Sequence, residues 1–155
     1  MQIKVNIKNA SNFTIPRISQ LTLKTNQFNL TTKRYQEEQK IKIGKTGPGG
    51  GIVFYVDSSG KHGLEAQRGD YTKQPGDLTY GDNAYYTWAH AVVAGKSYGS
   101  GWHLPTKHEL NLLYKQKTVV GGFGTPNYWS STESGSGIAW AQYFNDGYHD
   151  DYGKD

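Results

Sequence analysis

The densest run of side chains able to do chemistry lies between Ser134 and Tyr152. There Ser134, Ser136, Ile138, Tyr143, Asn145, Asp146, Tyr148, His149, Asp150, Asp151 and Tyr152 alternate with small and aromatic residues. Asp146, Asp150 and Asp151 could cluster as the hard oxygen donors that calcium takes. Tyrosine supplies rigid amphipathic area at low entropy cost, and Ser, Asn and Gly adapt their hydrogen bonds to a partner, so the composition is that of a contact surface. Catalytic chemistry finds less support. Glu133 has no second carboxylate at a motif-defined distance, and with no cysteine in the chain thiolate nucleophiles, disulfides and zinc–thiolate sites all drop out. His62, His90, His103, His108 and His149 show no metal-ligand spacing, so no metal and no cofactor are expected. The glycine-rich Gly44-Lys-Thr-Gly-Pro-Gly-Gly-Gly51 lacks the order of a phosphate loop, and the Ile52–Val56 run behind it reads as a strand, not a helix.

The elements that would position these residues follow from periodicity. Gln2–Lys8 alternates Ile3, Val5 and Ile7 with polar residues, the pattern of a half-buried strand. Short helices are expected over Ile15–Leu23 and Thr31–Gln39. Ile52–Val56 is a core strand closed by the turn residues Asp57–Gly60, with His62–Ala66 as its hairpin mate. Ala84–Ala94 carries Tyr85, Trp88, Ala89, Val92 and Val93 at helical spacing, ended by Gly95. Thr106 with Glu109 forms a capping box for a second helix over residues 106 to 116, stopped by Gly121 and Gly122. Beyond it Tyr128-Trp129, Ala139-Trp140 and Tyr143-Phe144 suggest short strands joined by exposed loops.

Composition bounds the function classes. The 155 residues, 35% hydrophobic with 20 glycines and much of the apolar content in Tyr and Trp, suit one loop-rich core plus an appendage. The net charge of +4 is unevenly spread: Met1–Gly47 holds nine Lys/Arg against two Glu, and Pro48–Asp155 holds eight against eleven acids. A nucleic-acid module would join its basic patch to its aromatic platform, whereas here the two are separated, so nucleic acid is not an expected partner. No apolar run is long enough to span a bilayer, and Met1–Ala10 has no signal-peptide core, so neither membrane insertion nor a signal peptide is expected.

Four stretches together resemble a bacterial and phage family of lectin-like domains that includes the C-terminal domain of a Legionella collagen-like adhesin. They are Gly47-Pro-Gly-Gly-Gly-Ile-Val-Phe-Tyr-Val56 with His62–Ala66; Gly101-Trp-His-Leu-Pro-Thr-Lys-His-Glu-Leu-Asn-Leu-Leu113; Gly121-Gly-Phe123; and Tyr128-Trp-Ser-Ser-Thr-Glu133 with Ala139-Trp140 and Phe144-Asn-Asp-Gly147. The resemblance implies an α+β, C-type-lectin-like fold over residues 47–155: a small twisted antiparallel sheet, two helices and a long loop region. It implies a ligand-binding, adhesin-like module, not an enzyme, with the Ser134–Tyr152 set as contacts and Trp102, Tyr128, Trp129, Glu133 and Trp140 as scaffold. Ser130, Ser131 and Glu133 are expected to bond backbone in the loops. The partner would be a protein or glycan on another surface, and the domain would be cell-surface or phage-associated within a larger protein. The calcium-lectin signature is missing, since Pro126 follows Thr125 and not a carboxylate. Some relatives of this fold are variable proteins of diversity-generating retroelements, and the Tyr, Asn, Asp, His, Ser and Ile of the set are residues reached by changing an Asn codon, so a diversified surface is one expectation.

Residues 1–46 form a separate arm. Phe13–Tyr35 resembles the connector of FkbH-type carrier-acting proteins, whose Asp-x-Asp-x-Thr nucleophile motif this chain lacks. The alternative reading is therefore a fragment or accessory domain of such an enzyme. Relatives of the lectin-like family continue into a final strand that is absent before Asp155, and the Gln2–Lys8 strand is expected to fill the vacated sheet edge.

Overall fold

The computed structural model describes residues 7–11, 41–70, 79–80, 85–124 and 127–154. The fold is α+β, with antiparallel sheets and three helices among the described residues. The helices expected over Ile15–Leu23 and Thr31–Gln39 lie outside the described residues.

The first sheet contains β1 (Ile7–Ser11), β2 (Ile52–Val56) and β3 (His62–Ala66), in the order β1-β3-β2. β1 runs antiparallel along β3, from Ile7 opposite Ala66 to Ser11 opposite His62. Of the strand expected over Gln2–Lys8 only Ile7 and Lys8 are described, and both belong to β1. β2 and β3 form the expected hairpin. Its turn is held by Asp57, which accepts from Ser59 N at 3.1 Å and Ser59 Oγ at 2.6 Å. Ile52, Val53 and Phe54 are buried in succession, and the register slips between Val53 and Tyr55.

The glycine-rich turn before β2 is packed around Glu65 of β3. Its carboxylate is fully buried and accepts from Gly49 N and Gly51 N, each at 2.8 Å. The turn's peptide groups are thus occupied by a side chain of the protein itself. Gly51 passes so close to Ala66 O and Trp102 Cη2 that a Cβ there would lie 2.7 and 2.8 Å away. Residues before the turn join the same sheet, with Thr46 bridging Ile52 and Gly44 N donating to Val53 O at 2.8 Å.

β4 (Thr79–Tyr80) and β5 (Tyr85–Tyr86) form a two-stranded pair, followed by α1 (Trp88–Ser97). The helix expected from Ala84 thus begins later, because Tyr85 and Tyr86 pair as a strand and Thr87 caps the helix by accepting from His90 N at 3.3 Å. Nor does Gly95 end it. Gly95 is buried inside the helix, which runs on to Ser97. α2 (Lys107–Lys115) carries the capping box read from the sequence, with Thr106 and Glu109 bonded in both directions. One further turn, α3 (Lys117–Val120), precedes Gly121.

The third sheet is the meander β6 (Asn127–Gly135), β7 (Ile138–Tyr143) and β8 (His149–Gly153). Residues opposite each other across a ladder share a face. One face carries Trp129, Ala139 and Ala141, which pack with Ala91 and Ala94 of α1, Tyr86 and Leu104. From the other face Tyr128 enters a second cluster with Leu110 and Leu113 of α2, Phe144, and Ile52, Phe54 and Leu64 of the first sheet. The meander is therefore sandwiched between α1 on one side and α2 with the β2–β3 hairpin on the other.

Candidate ligand-binding surface

The scaffold residues divide by burial. Trp102, Tyr128 and Trp129 are buried, with Trp129 Nε1 donating to Tyr86 O at 2.9 Å. Trp140 is half-buried, and the Lys107 ammonium stands 3.0 Å from its ring centroid. Glu133, expected to bond backbone, is exposed and among the described residues meets a side chain instead. It accepts from Lys154 Nζ at 2.6 Å, while the same ammonium donates to Ser136 O at 3.0 Å and lies 4.7 Å from the Trp88 ring. Lys154 thereby straps the β6–β7 turn to α1. Ser130 accepts from Thr132 N at 3.3 Å, and Ser131 N donates to Pro105 O at 2.7 Å.

The eleven expected contact residues do not share one face. Ser134, Ser136 and Ile138 are exposed at the β6–β7 turn, and Asn145, Asp146 and Tyr148 are exposed at the β7–β8 turn, at the opposite end of the meander. Between them lies β8, whose alternation sends residues to both faces. Asp150 and Tyr152 stand opposite Ala141 and Ala139 on the α1 face, with Tyr143 of the same parity, whereas His149 and Asp151 stand opposite Gln142 and Trp140 on the α2 face. The sequence suggests short strands only as far as Tyr143-Phe144, whereas His149–Gly153 beyond them form a further strand, β8.

On the α1 face Tyr143 and Tyr152 join their hydroxyls, and Tyr148 leans on Tyr143 with ring centroids 6.0 Å apart. Burial, the Tyr143 hydroxyl and the Asp150 carboxylate all raise the Tyr152 pKa. On the α2 face burial and the Lys107 charge lower the His149 pKa. Gln142, fully buried, donates from Nε2 to Asn111 Oδ1 and Gly147 O, each at 3.1 Å. Lys107 was not among the expected residues. It enters because α2 starts directly over β7, and Lys107 N bonds Thr132 Oγ1 at 2.9 Å.

The β7–β8 turn is rigidly held. Lys117 Nζ donates to the carbonyls of Phe144 and Asn145, and Tyr148 N donates to Asp146 Oδ1 at 3.0 Å. Gly147 adopts φ +85°, and a Cβ there would lie 2.6 Å from the Tyr114 ring. Beside this turn Lys117, Phe123, Phe144 and Asn145 help line a shallow cleft of about 440 Å³. Among the described residues no group of three or more His, Asp or Glu is placed to hold a metal ion, and no helix is long and apolar enough to cross a membrane.

A separate ion pair gives the fold a pH signature. His103 Nε2 lies 3.3 Å from Glu109 Oε2, which also accepts from Thr106 N and Oγ1, each at 2.8 Å. The hydrogen bond to Glu109 raises the His103 pKa above its ordinary 6.5. Burial pushes the Glu109 carboxyl up, but bonds from His103 and Thr106 outweigh it and leave the pKa below 4.5. A raised histidine pKa stabilises fully below 6.5 and loses that contribution as pH rises; a lowered carboxyl pKa stabilises above 4.5 and loses it as pH falls. The pair should therefore contribute most between these values. Melting curves across pH 4 to 8 are expected to show His103→Ala flattening the alkaline limb, and a limb unchanged by the variant would contradict the assignment.

No protein-family model matches this sequence, and no curated protein matches it either.

Proposed function

We propose that the chain is a ligand-binding module of C-type-lectin-like fold, not an enzyme, and that it meets its partner along β8 and the two turns flanking β7. The observation that carries this reading is the contrast across one sheet: Tyr148 is 61% exposed on a turn tied down by Lys117 and Asp146, while Tyr128, from the neighbouring strand β6, is 0% exposed. A rigid frame with outward polar and aromatic side chains pre-organises contact and lowers the entropy cost of binding. The two turns are separated by the length of β7, roughly 15–20 Å at ~3.3 Å per residue. A ligand touching both is an extended one, a polypeptide segment or several linked sugars. The exposed members of the set are also where codon diversification would act without disturbing the core.

The test is binding of the purified chain to an array of immobilised glycans and to intact bacterial cells. Tyr148→Ala combined with Asp151→Ala is expected to weaken capture at least about tenfold, as loss of an exposed aromatic anchor and a charge does in other interfaces, with the melting temperature unchanged. Capture that survives the double variant undiminished would remove β8 and its turn from the binding surface.

A further inference from the structure

Among the described residues the outer edge of β8 has no strand paired to it. Tyr143 N donates to Tyr148 O at 2.8 Å and Lys154 N to Gly137 O at 3.0 Å. In an antiparallel ladder mutually bonded pairs recur at every second residue. With Ala141 opposite Asp150 and Ala139 opposite Tyr152, the peptide groups of Asp150 and Tyr152 point inwards to β7. Those of His149, Asp151 and Gly153 consequently point outwards, and the sheet order ends at β8. Among the described residues no strand faces them. One outward donor is closed, because Asp151 N bonds Asp150 Oδ1 at 3.0 Å. Gly153 is exposed and has no side chain, which leaves room for another backbone to approach.

The same edge is acidic. Asp146 and Asp151 are exposed, Asp150 is half-buried, and none of the three makes a salt bridge among the described residues. Charges on sheet edges repel indiscriminate apolar strands. Carboxylates do so selectively, since a strand bearing Lys or Arg is attracted and can draw Asp150 away from the Asp151 amide.

We propose that β8 is a docking edge for a basic, extended polypeptide strand of a partner protein. The strand adds as a fourth member of the β6-β7-β8 sheet, bonding through its backbone to His149, Asp151 and Gly153 and through its cations to Asp146, Asp150 and Asp151. The inference rests on the ligand-binding reading of this surface and assigns it a partner class. A glycan would engage side chains and leave the backbone edge unused.

Because backbone pairing and charge carry the recognition, a generic strand serves as probe: a blocked peptide of alternating Lys and Val, with a Glu-Val counterpart as control, followed by fluorescence anisotropy. The Lys-Val peptide is expected to bind at least tenfold more tightly than the Glu-Val peptide. Asp151→Asn should weaken its binding and flatten its salt dependence. Gly153→Pro removes an outward donor without touching the β7 ladder and is expected to weaken binding at least tenfold. Amide exchange on the unmodified protein gives an independent reading, with new protection expected at His149 and Gly153 when peptide is bound.

Equal affinity for the two peptides, or no protection at those amides, would overturn the proposal. So would self-association of the chain that Gly153→Pro abolishes while the Lys-Val peptide fails to bind, because the occupant would then be a second copy. If Tyr148→Ala abolishes capture of glycans or cells while Gly153→Pro leaves it intact and the peptide does not bind, strand addition falls and the binding-module reading stands. If no variant alters any binding, both fall.

Discussion

Glu65→Ala is expected to destabilise the fold by about 3 kcal/mol, because a buried carboxylate that accepts two peptide N–H groups cannot be removed without leaving both donors unsatisfied. Relief of the carboxylate's own desolvation offsets part of the loss and keeps the figure below a simple sum of two charged hydrogen bonds. For a chain of 155 residues this corresponds to a fall of roughly 6–12 °C in melting temperature. Glu65→Gln separates geometry from charge. Each carboxylate oxygen serves one glycine, Oε1 for Gly49 and Oε2 for Gly51, so an amide must turn its NH2 group towards one of two donors. Its cost should fall between wild type and the alanine variant. A glycine turn held by its own chain direction would leave both variants melting like the parent.

The second large effect is expected at Tyr128. Its ring lies against Phe144 and Phe123, with centroids 4.6 and 5.6 Å away, and its hydroxyl donates to Asp70 Oδ1 at 3.2 Å. Tyr128→Ala should cost about 3–5 kcal/mol, the range for emptying an aromatic site in a packed core. Tyr128→Phe keeps the ring and isolates the hydroxyl, at about 1 kcal/mol. Tyr148→Ala, at an exposed turn, should lie within about 0.5 kcal/mol of the parent. Urea denaturation of the three variants reads the order directly. If Tyr148→Ala cost as much as Tyr128→Ala, the division between core and surface would be wrong.

Local chemistry made parts of the fold legible. Thr106 and Glu109 announce a capping box because both partners lie within one turn of chain, and Ile52–Val56 with Asp57–Gly60 announces a strand and its turn for the same reason. β8 was not legible. His149-Asp-Asp-Tyr-Gly153 has neither β-branched residues nor an apolar alternation, and it is a strand through its ladder to β7. That strand also explains why the eleven expected contact residues, continuous in composition, fall on different faces: a period of two divides any consecutive run. The helix expected from Ala84 starts too early because Tyr85 fits the helical spacing of Trp88 and Ala89, while the pairing of Tyr85 and Tyr86 with Tyr80 and Thr79 has no such periodic signature. Lys107 escaped for a related reason, since nothing in its neighbours reveals that its ammonium would meet Trp140, thirty-three positions later.

The lysines over the indoles have an optical consequence. Trp102 and Trp129 are buried, whereas the half-buried Trp88 and Trp140 each carry an ammonium, from Lys154 and Lys107, within 4.7 and 3.0 Å of the ring centroid. A positive charge so near an excited indole perturbs its emission, and Trp140 shares a face with Asp151 of β8. Anything that lifts Lys107 from its ring therefore changes the protein's own fluorescence, so the intrinsic emission reports on that one contact without a label.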